Sequence, residues 1–321
     1  MTISSDRPVS AFPEALVNTP PSTIAECIDA GAIFFEQAQL FFGHGTDNAQ
    51  DEALWLAFSA LGLSFDVSAE VLNQPVSQAE WLRIESMYLR RVNERIPAAY
   101  IVGEAWFCGY VFTVNEHVLV PRSPIAELIL SRYQPWLPVV DALPPQSSLQ
   151  VLDMCTGSGC IGIATALVFP DARVDLCDIS TDALMVAEEN IKRHQVSERV
   201  AVLESDVFDA IPEKPYDLIV ANPPYVDKAD IDSMPAEYQS EPAIALGSGD
   251  DGLDVTRRLL RQAATYLNDQ GVLIVEVGNS WEHVETAFPQ VPFMWLSFES
   301  GGHGVFVITR QELLDHAAAF V

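Results

Sequence analysis

Asn222-Pro223-Pro224-Tyr225 gathers an unusual set of acceptors at one point of the chain. It follows Tyr216-Asp217-Leu218-Ile219-Val220-Ala221, an apolar run whose length and β-branched content predict a buried strand. Proline has no N–H and a fixed φ, so two in succession leave the neighbouring carbonyls free and rigidly aimed. Asn222 adds a side-chain carbonyl and Tyr225 an aromatic face. A planar NH2 group, amine or amide, would find both hydrogens accepted there. That suits methyl transfer to a weakly nucleophilic nitrogen. The plain alternative is a Pro-rich turn beside a core tyrosine.

A second constellation lies upstream. Leu149-Gln150-Val151-Leu152-Asp153 leads into Met154-Cys155-Thr156-Gly157-Ser158-Gly159, a strand, a glycine turn and the start of a helix. Gly157 and Gly159 let the backbone approach a ligand at the carboxyl end of the strand, where doubly wound sheets bind. No Gly-Lys-Ser/Thr follows, so this is not a Walker A loop. Gly157, Gly159 and Gly162 also fit the dinucleotide spacing, which stays open at this point. Asp178 ends the next strand, 19 residues after Gly159, where a carboxylate can accept both ribose hydroxyls of an adenosine. Asp206 follows the third strand, where it could meet the adenine amino group, and it also fits a loop residue or a helix cap. NAD and S-adenosylmethionine are served equally by these residues. Asn222-Pro223-Pro224-Tyr225 tips the balance to S-adenosylmethionine, because a dehydrogenase needs no rigid acceptor cluster there.

The elements that must position these residues are an alternation of strands and helices from residue 149 onward. Strands are expected at Leu149–Met154, Arg173–Asp178, Val200–Leu203, Asp217–Ala221, Gly271–Val277, Phe293–Phe298 and Val305–Thr309. Helices fall between most of them, which predicts an α/β fold with a doubly wound, mostly parallel seven-stranded sheet and an antiparallel edge. Upstream, helices are expected from Ser22 or Thr23 to Phe42, over 51–61, and over 77–94 with Ser77 and Glu80 as a capping box. Tyr100–Gly103 and Tyr110–Val114 suggest a β-hairpin. The expected domain organisation is a flexible N-terminus (1–21), a helical substrate-binding domain (22–97), a hairpin and linker (98–148), a cofactor domain (149–312) and a tail (313–321). Pro138–Ser148 is the expected linker.

The chain has 321 residues, 49% of them apolar, enough for a large core. A formal net charge of −28 disfavours direct nucleic-acid binding and fits a basic protein partner, with solubility alone as an equal reading of the acidity. The five cysteines are odd in number and form no C-x-x-C pair, so reduced thiols in a cytoplasmic protein are expected, with no metal site. Met1–Pro21 lacks the layout of a signal peptide, and no apolar run reaches membrane-spanning length.

Taken together, Asp153, Thr156-Gly157-Ser158-Gly159, Asp178, Asp206 and Asn222-Pro223-Pro224-Tyr225 resemble the S-adenosylmethionine-dependent methyltransferases that modify protein glutamine side chains. The resemblance covers nearly all of the chain beyond residue 22. One branch of that family acts on peptide release factors, another on large-subunit ribosomal protein uL3. Pro121-Arg122-Ser123-Pro124-Ile125-Ala126-Glu127, Cys155-Thr156-Gly157-Ser158-Gly159-Cys160, Glu241-Pro242 and Gly301-Gly302-His303-Gly304-Val305-Phe306 are similar to the uL3 branch. The resemblance implies that Asn222 and the Pro223 carbonyl accept the amide hydrogens of a glutamine, with Pro224 and Tyr225 walling the pocket. It implies that Asp153, Thr156, Gly157, Ser158, Gly159, Asp178, Asp206, Val207 and Asn222 hold the cofactor. Val207 stands where the release-factor branch often has an aromatic, and Phe208 is a candidate to stack on adenine instead. Arg122 and Glu127 fit ordinary surface roles as well as a place over the pocket. Glu241-Pro242, Gly249, Asp250 and Gly252 are expected in a loop that shapes the substrate groove or, equally, in a solvated acidic loop that caps the next helix. A nucleic-acid amino methyltransferase and a non-catalytic adenosine-binding module are the alternatives from other classes.

Overall fold

The computed structural model describes Phe12 and residues 20–137 and 148–321; the expected N-terminal tail, apart from Phe12, Pro20 and Pro21, and nearly all of the Pro138–Ser148 linker lie outside the described residues. The chain divides into two compact units. The first gathers the described residues up to Glu104 and takes in Pro235–Ser240; the second comprises Ala105–Met234 and Glu241–Val321.

The first unit is helical. α1 (Ile24–Gln37) is capped by Thr23, α2 (Ala49–Leu61) by Asn48, and α3 (Gln78–Glu94) by the Ser77–Glu80 capping box. α1 stops five residues short of the expected Phe42, with Gln39 at φ 51° turning the chain. Tyr88 of α3 is buried, and its hydroxyl donates to Ala53 O at 2.9 Å. Arg91, also buried, donates from Nε to Glu52 Oε1 at 2.6 Å and lies 3.5 Å from Glu237 Oε1.

The expected strand over Tyr100–Gly103 is instead α4 (Ala98–Val102). Pro97 precedes its first turn, Ala98 and Ala99 favour helix, and Gly103 closes it at φ 80°. These framing residues outweigh the β preference of Ile101 and Val102. The hairpin therefore shifts to β1 (Glu104–Phe107) and β2 (Tyr110–Thr113). Cys108 and Gly109 between them have φ of 51° and 79°, the two left-handed positions that a tight hairpin turn requires.

In the second unit α5 (Ile125–Leu130) precedes the main sheet. Its elements are β3 (Gln150–Met154), α6 (Cys160–Val168), β4 (Arg173–Asp178), α7 (Thr181–Arg193), β5 (Val200–Glu204) and β6 (Tyr216–Ala221). After the short α8 (Lys228–Ser233) come α9 (Asp254–Tyr266), β7 (Leu267–Glu276), α10 (Trp281–Ala287), β8 (Met294–Trp295), β9 (Val305–Thr309) and α11 (Arg310–Asp315). The seven-stranded sheet has the order β5-β4-β3-β6-β7-β9-β8, parallel except at β9, which pairs antiparallel with both neighbours. Separate clusters pack on its two faces, one around Leu152, Ile219 and Phe306, the other around Val151, Leu218 and Ile274. The expected strand Phe293–Phe298 shrinks to two residues at the edge, where it has one partner.

Candidate active site

The chain runs outward from β3 to β4 and β5, then returns to β6 on the other side of β3. Such a reversal opens a crevice beyond the carboxyl ends of the strands. A cavity lies there, rimmed by the residues just past β3, β4, β5 and β6. Thr156, Gly157, Ser158, Asp178, Asp206, Val207, Asn222 and Pro224 of the expected site all line it.

The loop after β3 is held in shape from below. Asp153 is fully buried and does not reach the cavity; its Oδ2 accepts from Thr156 Oγ1 at 2.5 Å and from Gly162 N–H at 2.8 Å. Burial pushes this carboxyl up to about 7, against the pull of the two hydrogen bonds. Asp153 is thus a brace for the turn. The glycines divide the remaining work. A Cβ on Gly157 would meet no protein atom within 4 Å, so this residue faces open space. A Cβ on Gly159 would press on Ile163 and Leu176 at 3.0 Å, and one on Gly162 would collide with Leu176, so both serve helix–sheet packing. Cys155 and Val207, both on the cavity wall, are held at φ 59° and 54°. For a β-branched residue such as Val207 that conformation is costly, and strain of this kind gathers at binding sites.

Asp178 Oδ2 accepts from Gly157 N–H and Oδ1 from Ser180 N–H, each at 2.9 Å. Each oxygen keeps a second lone pair for a ligand hydroxyl. Burial raises this carboxyl above its ordinary range. Asp206 is exposed, and its carboxylate is engaged by Arg258 at 2.6 Å.

Asn222 follows β6 directly. Its Oδ1 is buried and has no hydrogen-bond partner. An orphaned buried acceptor of this kind costs stability unless something supplies a donor. Pro223 is buried and Tyr225 half-buried; neither lines the cavity, whereas Pro224 does.

The family model for the "methyltransferase small domain" matches residues 138–238. The ribosomal protein uL3 glutamine methyltransferase of Francisella tularensis is 47% identical over 281 residues, covering 88% of each chain. That of Neisseria gonorrhoeae is 44% identical over 293 residues, covering 91% of this chain and 96% of its own. The chain belongs to this family. Among solved structures, the ribosomal protein L11 methylase of Lactobacillus delbrueckii subsp. bulgaricus matches at 22% identity, with a TM-score of 0.39, over 58% of this chain and 77% of its own.

Membership of a methyltransferase family implies S-adenosylmethionine as the methyl donor rather than a dinucleotide for the Gly157–Gly162 loop. The residues present fit the cofactor: open space above Gly157, a carboxylate at Asp178, and apolar walls from Ile161, Ile179, Val207 and Val255. Phe208, the expected adenine partner, points elsewhere. It is buried in the core and stacks on Tyr266 with centroids 4.5 Å apart. Asp206 and Val207 each have their own place on the wall, which leaves the next residue facing inward to the core.

The sequence leaves the Arg122 turn open between a surface role and a place over the pocket; the whole stretch from His117 to Ser123 lines the cavity, and its residues before Arg122 are not expected there from sequence. Arg122 does not behave as an ordinary surface residue: it grips buried Glu241 through both nitrogens, at 2.6 and 2.7 Å. Glu127 accepts the backbone N–H groups of Glu299 and Ser300, tying down the glycine-rich loop before β9. The signal was in Pro121–Glu127 itself, whose alternation of prolines with polar side chains gives a rigid turn with several hydrogen-bonding arms. No group of His, Cys, Asp and Glu among the described residues could hold a metal ion, and no described helix is long and apolar enough to cross a membrane.

Proposed function

We propose that this chain transfers a methyl group from S-adenosylmethionine to the side-chain amide nitrogen of a glutamine in ribosomal protein uL3. The observation that carries the chemistry is Asn222 Oδ1, a buried acceptor without a partner on a residue that lines the crevice. The address comes from the relatives, which carry the name of this activity over about nine-tenths of the chain.

A glutamine amide is a poor nucleophile because its nitrogen lone pair is delocalised into the carbonyl. When bound, S-adenosylmethionine supplies a methyl group activated by the sulfonium. Asn222 Oδ1 and the Pro223 carbonyl accept the two amide hydrogens and set the nitrogen's direction. Both acceptors gain strength as positive charge grows on nitrogen, so they bind the transition state more tightly than the ground state. Pro224 and Tyr225 keep the turn stiff, so little reorganisation is needed. Asp178 holds the ribose hydroxyls, while Asp153 keeps the Gly157 loop in the shape that admits the cofactor. The reaction belongs in the cytoplasm, where ribosomal proteins are made and assembled.

The test is direct. The purified protein is incubated with methyl-labelled cofactor and, separately, with uL3, a peptide release factor and naked large-subunit RNA. Label on one glutamine of uL3, located by mass spectrometry as a single added CH2, is the expected result. Label on the release factor or the RNA alone would overturn the assignment of substrate, and label on none would overturn the activity.

A further inference from the structure

Glu276 ends β7 with a carboxyl group that is almost wholly withdrawn from solvent. Its Oε2 accepts from Ser123 Oγ at 2.5 Å, and its Oε1 accepts from the Tyr225 hydroxyl at 3.2 Å. The turn before α5, the acceptor motif after β6 and the end of β7 therefore meet on one side chain. Ser123 and Asn222 both line the cavity. A buried carboxyl is expensive to desolvate, and an apolar side chain would fill the end of β7 at lower cost. Its presence calls for a reason other than stability.

The surroundings of Tyr225 supply one. Its carbonyl accepts from Ser280 Oγ at 2.6 Å. Its ring lies against Gly278, where an added Cβ would come within 2.5 Å of it, and Gly252 approaches its carbonyl so closely that a Cβ would clash. Backbone and ring are thus gripped near the peptide, and the far end of the ring is fixed through its hydroxyl. Arg122, adjacent to Ser123, fastens the same turn to Glu241. We propose that Glu276 is a positioning residue for methyl transfer: by holding Ser123 and Tyr225 on its two oxygens it sets the Asn222–Tyr225 turn against the Pro121–Ser123 wall. The role rests on the proposed glutamine methylation and deepens it, since what Glu276 positions is the pair of carbonyls that receive the amide.

The test compares Glu276→Ala, Glu276→Gln, Tyr225→Phe and the Glu276→Ala/Tyr225→Phe double variant on uL3. Misplacing a reacting group by about 1 Å costs on the order of a hundredfold in rate. Glu276→Ala is therefore expected to lower kcat ten- to a hundredfold, with KM for uL3 and calorimetric affinity for S-adenosylmethionine changed less than about threefold. Glu276→Gln restores most of kcat, because an amide can accept from one hydroxyl and donate to the other. The double variant is no slower than Glu276→Ala, since both substitutions cut the same link. Amide exchange in the peptide spanning 222–226 speeds up in Glu276→Ala. If that variant does not fold, Ser123→Ala and Tyr225→Phe, which leave Glu276 in place, carry the same test and must be non-additive in kcat. An unchanged kcat in a folded Glu276→Ala, or losses that multiply in the double variant, overturns the role. Wild-type protein that leaves uL3 unmethylated would instead overturn the proposed function, and the exchange measurement would then decide the positioning by itself.

Discussion

Asn222 and Asp153 each carry a buried side-chain oxygen that lacks a partner, yet they differ in what they touch. Asn222 lines the cavity, so its unmet acceptor is available to the donor that an amide would bring. Replacing it with alanine should cut methyl transfer by about a hundredfold or more, the scale of removing one preorganised hydrogen-bonding group. The thermal midpoint should not fall, because no hydrogen bond of the Asn222 carbonyl is lost. A clear loss of stability in Asn222→Ala, or near-normal turnover, would contradict the assignment. Asp153 works below the surface, and its effect is on folding. Its carboxyl titrates near 7 in the folded protein because burial raises it, against an ordinary value of 3.8. Below about pH 4 both states hold the proton, so the folded state bears no penalty. Between about 4 and 7 the folded protein retains a proton that the unfolded chain has lost, so stability declines as pH rises across that window. The loss is on the order of a few kcal/mol. Burial raises Asp178 and Glu276 too, and they add to the slope in the same direction. Denaturation between pH 4 and 8 should therefore show a gentler decline in Asp153→Asn than in the wild type. Equal slopes would remove Asp153 as the source.

At the scale of elements, the three glycines after β3 make the division between packing and binding testable. Gly162→Ala drives a methyl group into Leu176 and Asp153, an overpacking that costs about 1–3 kcal/mol. Gly157→Ala puts its methyl group in open space, so stability falls by about 1 kcal/mol or less through its φ of 55°. It should nevertheless weaken S-adenosylmethionine binding tenfold or more in calorimetry. Normal binding by a folded Gly157→Ala would take that residue out of the cofactor site. The parts of this architecture that could be read beforehand are those with local causes. Arg173–Asp178 and Val305–Thr309 occupy the expected strand bounds because Val174, Leu176 and Cys177 in the first, and the Val- and Ile-rich run in the second, are short apolar segments. The glycine turn and Asn222 stand where the spacing put them. What escaped was set by distant partners. Ile101 and Val102 read as strand and fold as helix because Pro97 and Gly103 frame them. Phe208 turned inward to Tyr266, 58 residues away in sequence. The Arg122–Glu241 pair spans 119 residues and the Ser123–Glu276 bond 153, separations at which no periodicity signals a contact.

At the scale of the whole molecule, the 17 Lys and Arg residues face 45 Asp and Glu. Several of those few cations are committed internally: Arg91 to Glu52, Arg122 to Glu241, Arg257 to Asp251, Arg258 to Asp206 and Arg310 to Asp269. The field outside the protein is thus more uniformly negative than the composition alone conveys. A ribosomal protein that must neutralise RNA phosphates is basic, so encounter is favoured by the net field of each partner. Steering of this kind acts on association and is screened by salt over about 8–10 Å at physiological ionic strength. Raising salt from about 50 to 300 mM should therefore lower kcat/KM for uL3 several-fold or more, chiefly through KM. S-adenosylmethionine is small and meets short-range groups, half-buried Asp178 and the Gly157 loop, so its calorimetric affinity should change less than about twofold. The two salt dependences separate long-range attraction from local binding. If kcat/KM for uL3 stays flat with salt, the charge of −28 serves solubility and recognition rests on short-range contacts alone.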